Sequence, residues 1–188
     1  STMLTNLMIN KKNVAVNLNQ EFISDETKIL KDRDVGKADI NIQDQDGNTE
    51  LIKQILNGNK DNVVNILKRG DLMVNLQNNQ KLTALCFAIC KDKIEIAFKI
   101  LERSDVDINL KGFEGNTALM LALQFEHQKI AFEILKNKTI NVNIQNKDGN
   151  AALMMAIICG NKKIALEILK NKKIEINQQN QRKTTALM

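Results

Sequence analysis

The chain has 188 residues, 43% of them hydrophobic and 26% charged, enough apolar content for a packed core and too much for global disorder. Lys and Arg number 27 against 22 Asp and Glu, a net +5 that by itself names no partner. Pro, Trp and Tyr are absent and there are 6 Phe and 8 Gly, so the core must be aliphatic and a turn-rich β fold is excluded. Three Cys make no disulfide framework and suit a reducing compartment. The first ten residues carry no basic leader pattern, and no apolar run is long enough for a membrane span. The expected setting is therefore soluble and cytoplasmic.

In chain order, residues 1–39 open with Thr2-Met3-Leu4. Val14, Leu18 and Phe22 follow at helical spacing, and Ser24-Asp25-Glu26-Thr27 leads into Ile29-Leu30. This region reads as a divergent N-terminal cap with an insertion. Beyond it the chain repeats. Thr49-Glu50-Leu51-Ile52, Thr83-Ala84-Leu85-Cys86, Thr117-Ala118-Leu119-Met120, Ala151-Ala152-Leu153-Met154 and Thr185-Ala186-Leu187-Met188 recur every 34 residues. Asn41, Asn75, Asn109, Asn143 and Asn177 keep the same step, as do Ile66-Leu67, Ile100-Leu101, Ile134-Leu135 and Ile168-Leu169.

Each unit has one internal plan. A run such as Ala118–Leu123 is apolar nearly all round and predicts a short helix buried on several sides. A polar break follows, and then an amphipathic stretch such as Ile164–Leu169 with one wet face. Between units, Asp46-Gly47, Glu114-Gly115 and Asp148-Gly149 suit tight turns. The units run 40–74, 75–108, 109–142 and 143–176, with 177–188 opening a fifth. One unit cannot bury its own apolar faces; a stack can.

This pattern resembles the ankyrin-repeat family, whose units read roughly D-x-x-G-x-T-P-L-H. Asp44, Gly47, Thr49, Leu51, Gly58, Val63, Ile66, Leu67 and Asn75 match it in one unit. Asn146, Gly149, Leu153, Ala156, Gly160, Ile164, Ile168, Leu169 and Asn177 match in another. The resemblance implies an all-α fold, an ankyrin-type α-solenoid of stacked helix-turn-helix units. It implies a non-enzymatic module that binds a protein partner on its concave surface. The family's Pro and His are replaced here by Glu50 or Ala and by Ile52, Cys86, Met120 and Met154. Apolar packing is expected where the family's His forms hydrogen bonds.

Site chemistry is sparse. No phosphate loop, dinucleotide fingerprint or zinc-protease motif occurs, so no catalytic residue, metal or cofactor is expected. Cys86 and Cys90 lack the partners of a zinc site, while Cys90 and Cys159 fall at positions the family leaves exposed. His127 takes the turn slot held elsewhere by Asn59, Lys93 and Asn161, and is expected to bond turn backbone. The register carries the family's partner-contacting positions onto two sets of residues. Leu82, Lys111, Phe113, Glu114, Lys147 and Asp148 fall at hairpin tips; Cys90, Lys91, Gln124, Phe125 and Ile158 fall at the ends of first helices. Phe113 and Phe125 are expected to form an exposed apolar patch, in keeping with aromatic anchors at interfaces.

Three other readings compete. The chain is the targeting segment of a larger enzyme or of a secreted, host-interacting effector. Alternatively, an uncovered apolar end at 177–188 lets copies associate weakly. Finally, the lysines of the later second helices form an outer stripe. Scarce Arg and missing stacking aromatics argue against nucleic acid there.

Overall fold

The structure, a computed structural model, describes residues 39–188. The expectations for residues 1–38 lie outside the described residues. The described chain forms eight α-helices in four pairs. The first pair is α1 (Glu50–Leu56) and α2 (Lys60–Leu67), and the second is α3 (Ala84–Cys90) and α4 (Ile94–Leu101). The third is α5 (Ala118–Gln124) and α6 (Gln128–Leu135), and the fourth is α7 (Ala152–Ile158) and α8 (Lys162–Leu169). First helices pack in one row, α1 on α3, α3 on α5 and α5 on α7; second helices form a parallel row, α2 to α8. This is the stacked two-layer solenoid that the repeat predicted, and no strand occurs among the described residues.

The apolar first helices fold where they do because each is flanked on both sides. All seven residues of α5 are buried, and Leu121 and Ala122 are wholly so. A fully buried Leu or Ile contributes roughly 1.5–3 kcal/mol, and an isolated unit could bury such residues only on one side. Thr49, Thr83 and Thr117 start their helices, each hydroxyl oxygen accepting from a backbone N–H three residues on, at 3.2–3.5 Å. Ala151 gives α7 no such cap. The positions where the family carries His hold Ile52, Cys86, Met120 and Met154, all buried, so packing has replaced hydrogen bonding there.

Side-chain amides tie each unit to the next. Asn41, Asn75, Asn109 and Asn143 each donate from Nδ2 to a carbonyl 30 residues on, at 2.7–2.8 Å. Each also accepts, on Oδ1, the N–H 32 residues on, at 2.7–2.9 Å. Arg103 joins the second-helix row: Nη1 donates to the Leu67 carbonyl at the end of α2 and to the Arg69 carbonyl. These bonds satisfy backbone groups that no helix satisfies. The turns after the first helices need positive φ. Gly58 and Gly160 supply it at two, while Asp92 (56°) and Glu126 (62°) adopt it with side chains.

The ladder sets up a contrast between two asparagines of one register. Asn109→Ala removes two inter-unit hydrogen bonds and leaves their backbone partners unbonded; urea denaturation should show a loss of about 1–3 kcal/mol. Asn177 is exposed and its side chain makes no such bonds within the described residues. Asn177→Ala should change stability by less than about 0.5 kcal/mol.

Candidate functional site

The hairpin tips form a second, more exposed ladder along one edge of the stack. At three tips the same frame recurs. Asp44, Asn78 and Asn146 each accept two backbone N–H groups of their own turn on Oδ1, at 2.8–3.1 Å. Gln43, Gln77 and Gln145 each donate to a carbonyl within their own tip and to one in the next, 34 residues on. Asn78 donates to Asn48 at 3.0 Å, Asn146 to Asn116 at 2.9 Å and Asn180 to Asn150 at 2.9 Å, rungs that join successive tips.

The third tip keeps the Asn116 rung to the fourth and the backbone turn bonds but loses the frame's own amide side chains. Lys111 stands in the Gln slot and Gly112 in the Asp/Asn slot. Leu82 replaces the asparagine that would face position 112. A Cβ at Gly112 would lie 3.1 Å from the Lys81 carbonyl oxygen and 3.7 Å from Leu82 Cδ2. The amide-to-amide rung found at the other tips is thus absent between Leu82 and Gly112. The turn tightens into a short 3-10 segment, Phe113–Gly115, with Glu114 at positive φ. Glu114 reaches Lys147 in the fourth tip twice: its carbonyl accepts the Lys147 N–H at 2.9 Å, and its carboxylate pairs with Nζ at 3.2 Å.

The structure sorts the sequence-predicted site residues. Lys111, Lys147 and Asp148 are exposed at the tips and Glu114 is half-buried beside them. Leu82 is not a tip contact; it is 1% exposed and belongs to the buried core. Phe113 and Phe125 do not form an exposed patch. Both are half-buried against the core, and Phe125 stacks on His127 at 6.3 Å between ring centroids. Cys90, Lys91 and Ile158 are half-buried at the ends of first helices, with the Lys91 ammonium 5.8 Å above the Phe87 ring. Exposed Ile157 beside Ile158 was missed, because an isoleucine in an apolar run reads as core.

Gln124 also departs from its expected exposed place. It is 2% exposed at the end of α5, and neither amide atom has a hydrogen-bond partner among the described residues. The same register position holds Leu56, Cys90 and Ile158, so Gln124 is a polar exception in an apolar row. An unbonded buried amide costs about 1–3 kcal/mol. Stacking does not require it.

The remaining candidates resolve simply. His127 Nε2 lies 3.1 Å from the Ile89 carbonyl oxygen, tying the third pair to the second, and Asn59 and Asn161 cap their helices through Oδ1. Cys86 is buried; burial pushes both its thiol and that of Cys90 above the ordinary thiol range. Among the described residues no His, Cys, Asp and Glu cluster has the makings of a metal site, and no helix is long and apolar enough to cross a membrane.

Paired antiparallel helices, repeated in register and joined by protruding tips, define a repeat solenoid of the helix-turn-helix class. Residues 14–112 and 91–180 match the family model described as ankyrin repeats (3 copies). The chain belongs to the ankyrin-repeat family. A comparison with curated proteins finds no significant match. Among solved structures it is similar to a chain of the complex described as the Bd0816 predatory endopeptidase from Bdellovibrio bacteriovorus with immunity protein Bd3460. The identity is 32% and the TM-score 0.65, over 81% of this chain and 78% of that chain. With 358 solved chains matching, likeness of fold points to no single partner.

Gln124→Leu copies the residue that the first unit uses at this position. It should raise stability by about 1–2 kcal/mol, since it removes an unbonded buried amide and adds apolar contact. Chemical denaturation of the variant beside the parent chain checks it.

Proposed function

We propose that this chain is a non-enzymatic protein-binding module whose partner docks on the third and fourth hairpin tips and the adjoining ends of α5 and α7. One observation carries the reading. Departures from the repeat frame concentrate in the third unit: its tip replaces the amide frame with Lys111, Gly112 and Phe113, and its first helix ends in unbonded Gln124. Elsewhere identical rungs recur, so these exceptions serve something other than stacking.

The contact surface combines Lys111, Glu114, Lys147 and Asp148 as a polar rim with Phe113 as a half-buried anchor. Cys90, Lys91, Phe125 and Ile158 border it, and Gln124 lies beneath. Leu82 supports it from below and touches no partner. Stacked units hold the tips before the partner arrives, which lowers the ordering entropy of binding. Complex formation by the similar solved chain is in keeping with this reading, and partner identity does not transfer from it. The setting proposed is the cytoplasm, or a host cytoplasm for a secreted form.

A second reading is weak self-association. A groove of about 200 Å³ lined by Met154, Ile157, Ile158, Ala186 and Met188 opens beside Thr184 and Thr185. Sedimentation over a hundredfold range of concentration checks it; a concentration-independent monomer removes it.

The main reading is tested by affinity capture with the chain and with Phe113→Ala and Lys147→Glu variants. A specific partner should bind the parent at least tenfold more tightly than either variant, as expected when an anchor or a rim charge is lost. Phe113→Ala should cost no more than about 2 kcal/mol of stability, leaving the stack folded. Equal capture by all three chains would place the partner elsewhere on the solenoid.

A further inference from the structure

Charge divides the described chain along the stack. Residues 39–108 carry 9 Lys and Arg against 11 Asp and Glu, a net of −2; residues 109–188 carry 12 against 6, a net of +6. The division is sharpest on the outer edge of the second helices. One register row reads Asp61, Glu95, Lys129, Lys163, and another reads Asp71, Asp105, Thr139, Lys173. The first row inverts from acid to base between the second and third units; the second passes through neutral Thr139 and becomes basic at Lys173 in the fourth.

The two halves also differ in what they do with their charges. In the acidic half Glu95 pairs with Lys60, and the Arg69 and Arg103 guanidiniums hold Asp71 and Asp105 at 2.6 Å. In the basic half Lys136 and Lys170 pair with Glu133 and Glu167 on their own helices. Lys129, Lys138, Lys162, Lys163, Lys172 and Lys173 are all exposed and have no carboxylate within ion-pair distance among the described residues. Holding uncompensated like charges together works against the folded state, and a partner of opposite sign relieves it.

We infer that these six lysines form a second docking surface, on the outer edge of α6 and α8 and the loops after them, for an acidic segment of a partner protein. The chemistry favours carboxylates over nucleic acid: all six cations are lysine, without the guanidinium fork that grips phosphate, and no exposed aromatic ring is present among the described residues to stack a base. Leu166 and Leu169 stand 53% and 41% exposed on α8 between Lys162, Lys163 and Lys172, and offer a partner side chain apolar contact. Two leucines on an 8-residue helix are too little apolar surface for stable insertion into a membrane. This surface is separate from the tips and does not depend on the reading given for them.

The probe is a fluorescein-labelled Glu/Leu dodecapeptide, titrated by anisotropy at 50 and 300 mM salt. The intact chain should bind it, and the higher salt should weaken binding at least fivefold. K129E/K163E/K172E should weaken it at least tenfold, while Asp61→Asn and Phe113→Ala leave it unchanged. The corresponding triple Lys→Gln variant, with helicity checked by circular dichroism, stands in should charge reversal disturb folding. Absence of binding at 50 mM salt, or unchanged binding by the folded triple variants, overturns the proposal. So does equal or tighter binding of oligouridylate or phosphatidylserine vesicles, which would make the surface one for phosphates.

Discussion

The structure depends on mutual burial of first helices. Phe87, Ile89, Leu121 and Leu123 are at most 1% exposed only because a neighbouring helix lies on each side of theirs. No unit contains enough of its own chain to achieve this. The cost of that arrangement is positional: a helix must sit in the same place in every unit or the next has nothing to pack against. The asparagine ladder enforces this spacing. It links each unit to the following one by two hydrogen bonds of nearly constant length, across sequence separations of 30 and 32 residues. Apolar burial supplies most of the energy, being non-directional, and the amides fix the register.

Stacking and recognition therefore divide the residues of one unit between them. A buried first-helix position tolerates Phe87, Leu121 or Met155 with little consequence, because each is apolar and its place is fixed by the ladder. A tip position in the frame is constrained differently: Asn78 makes turn bonds and a rung at once. Giving up that frame at Gly112 removes several hydrogen bonds together. The chain offsets the loss with buried Leu82, the Phe113 ring on the core and the Glu114–Lys147 pair. The third tip is rebuilt, not merely degraded.

The solenoid was legible in the sequence because its determinants are periodic. A spacing of 34 residues in Thr-Ala-Leu, in Asn and in Ile-Leu allows one register, and burial of the run from Ala118 to Leu123 follows from apolar residues on every face. Side-chain placement at the exceptions was less legible, for an identifiable reason. Leu82 and Gln124 were assigned exposure from their register slots, yet burial is set by what occupies the neighbouring unit. Leu82 faces Gly112, which has no side chain, in place of an asparagine rung, and Gln124 lies in a row whose other members are Leu, Cys and Ile. Phe113 and Phe125 illustrate the same limit. An aromatic ring long enough to fold back reaches the core from a nominally outward position, and Phe125 finds His127 beside it.

Three kinds of row run along the stack, and their variation differs by what each must do. Rows inside the first helices are apolar in α3, α5 and α7 apart from Gln124, since one charge there would be buried without a partner, and turn polar at Glu50, Lys53 and Gln54 of α1. The asparagine row stays identical because it forms the same two bonds each time. Outer rows such as Asp61, Glu95, Lys129, Lys163 carry little structural duty; every member is exposed, and of the four Glu95 alone forms an ion pair among the described residues, with Lys60. Folding therefore does not dictate that the signs should segregate into halves rather than alternate. Alternation would be electrostatically easier, since neighbours in the row would attract. Segregation gives the two ends of the solenoid different electrostatic character while leaving the core unchanged, so a partner can be steered to one end by charge without any change in the stack that presents it.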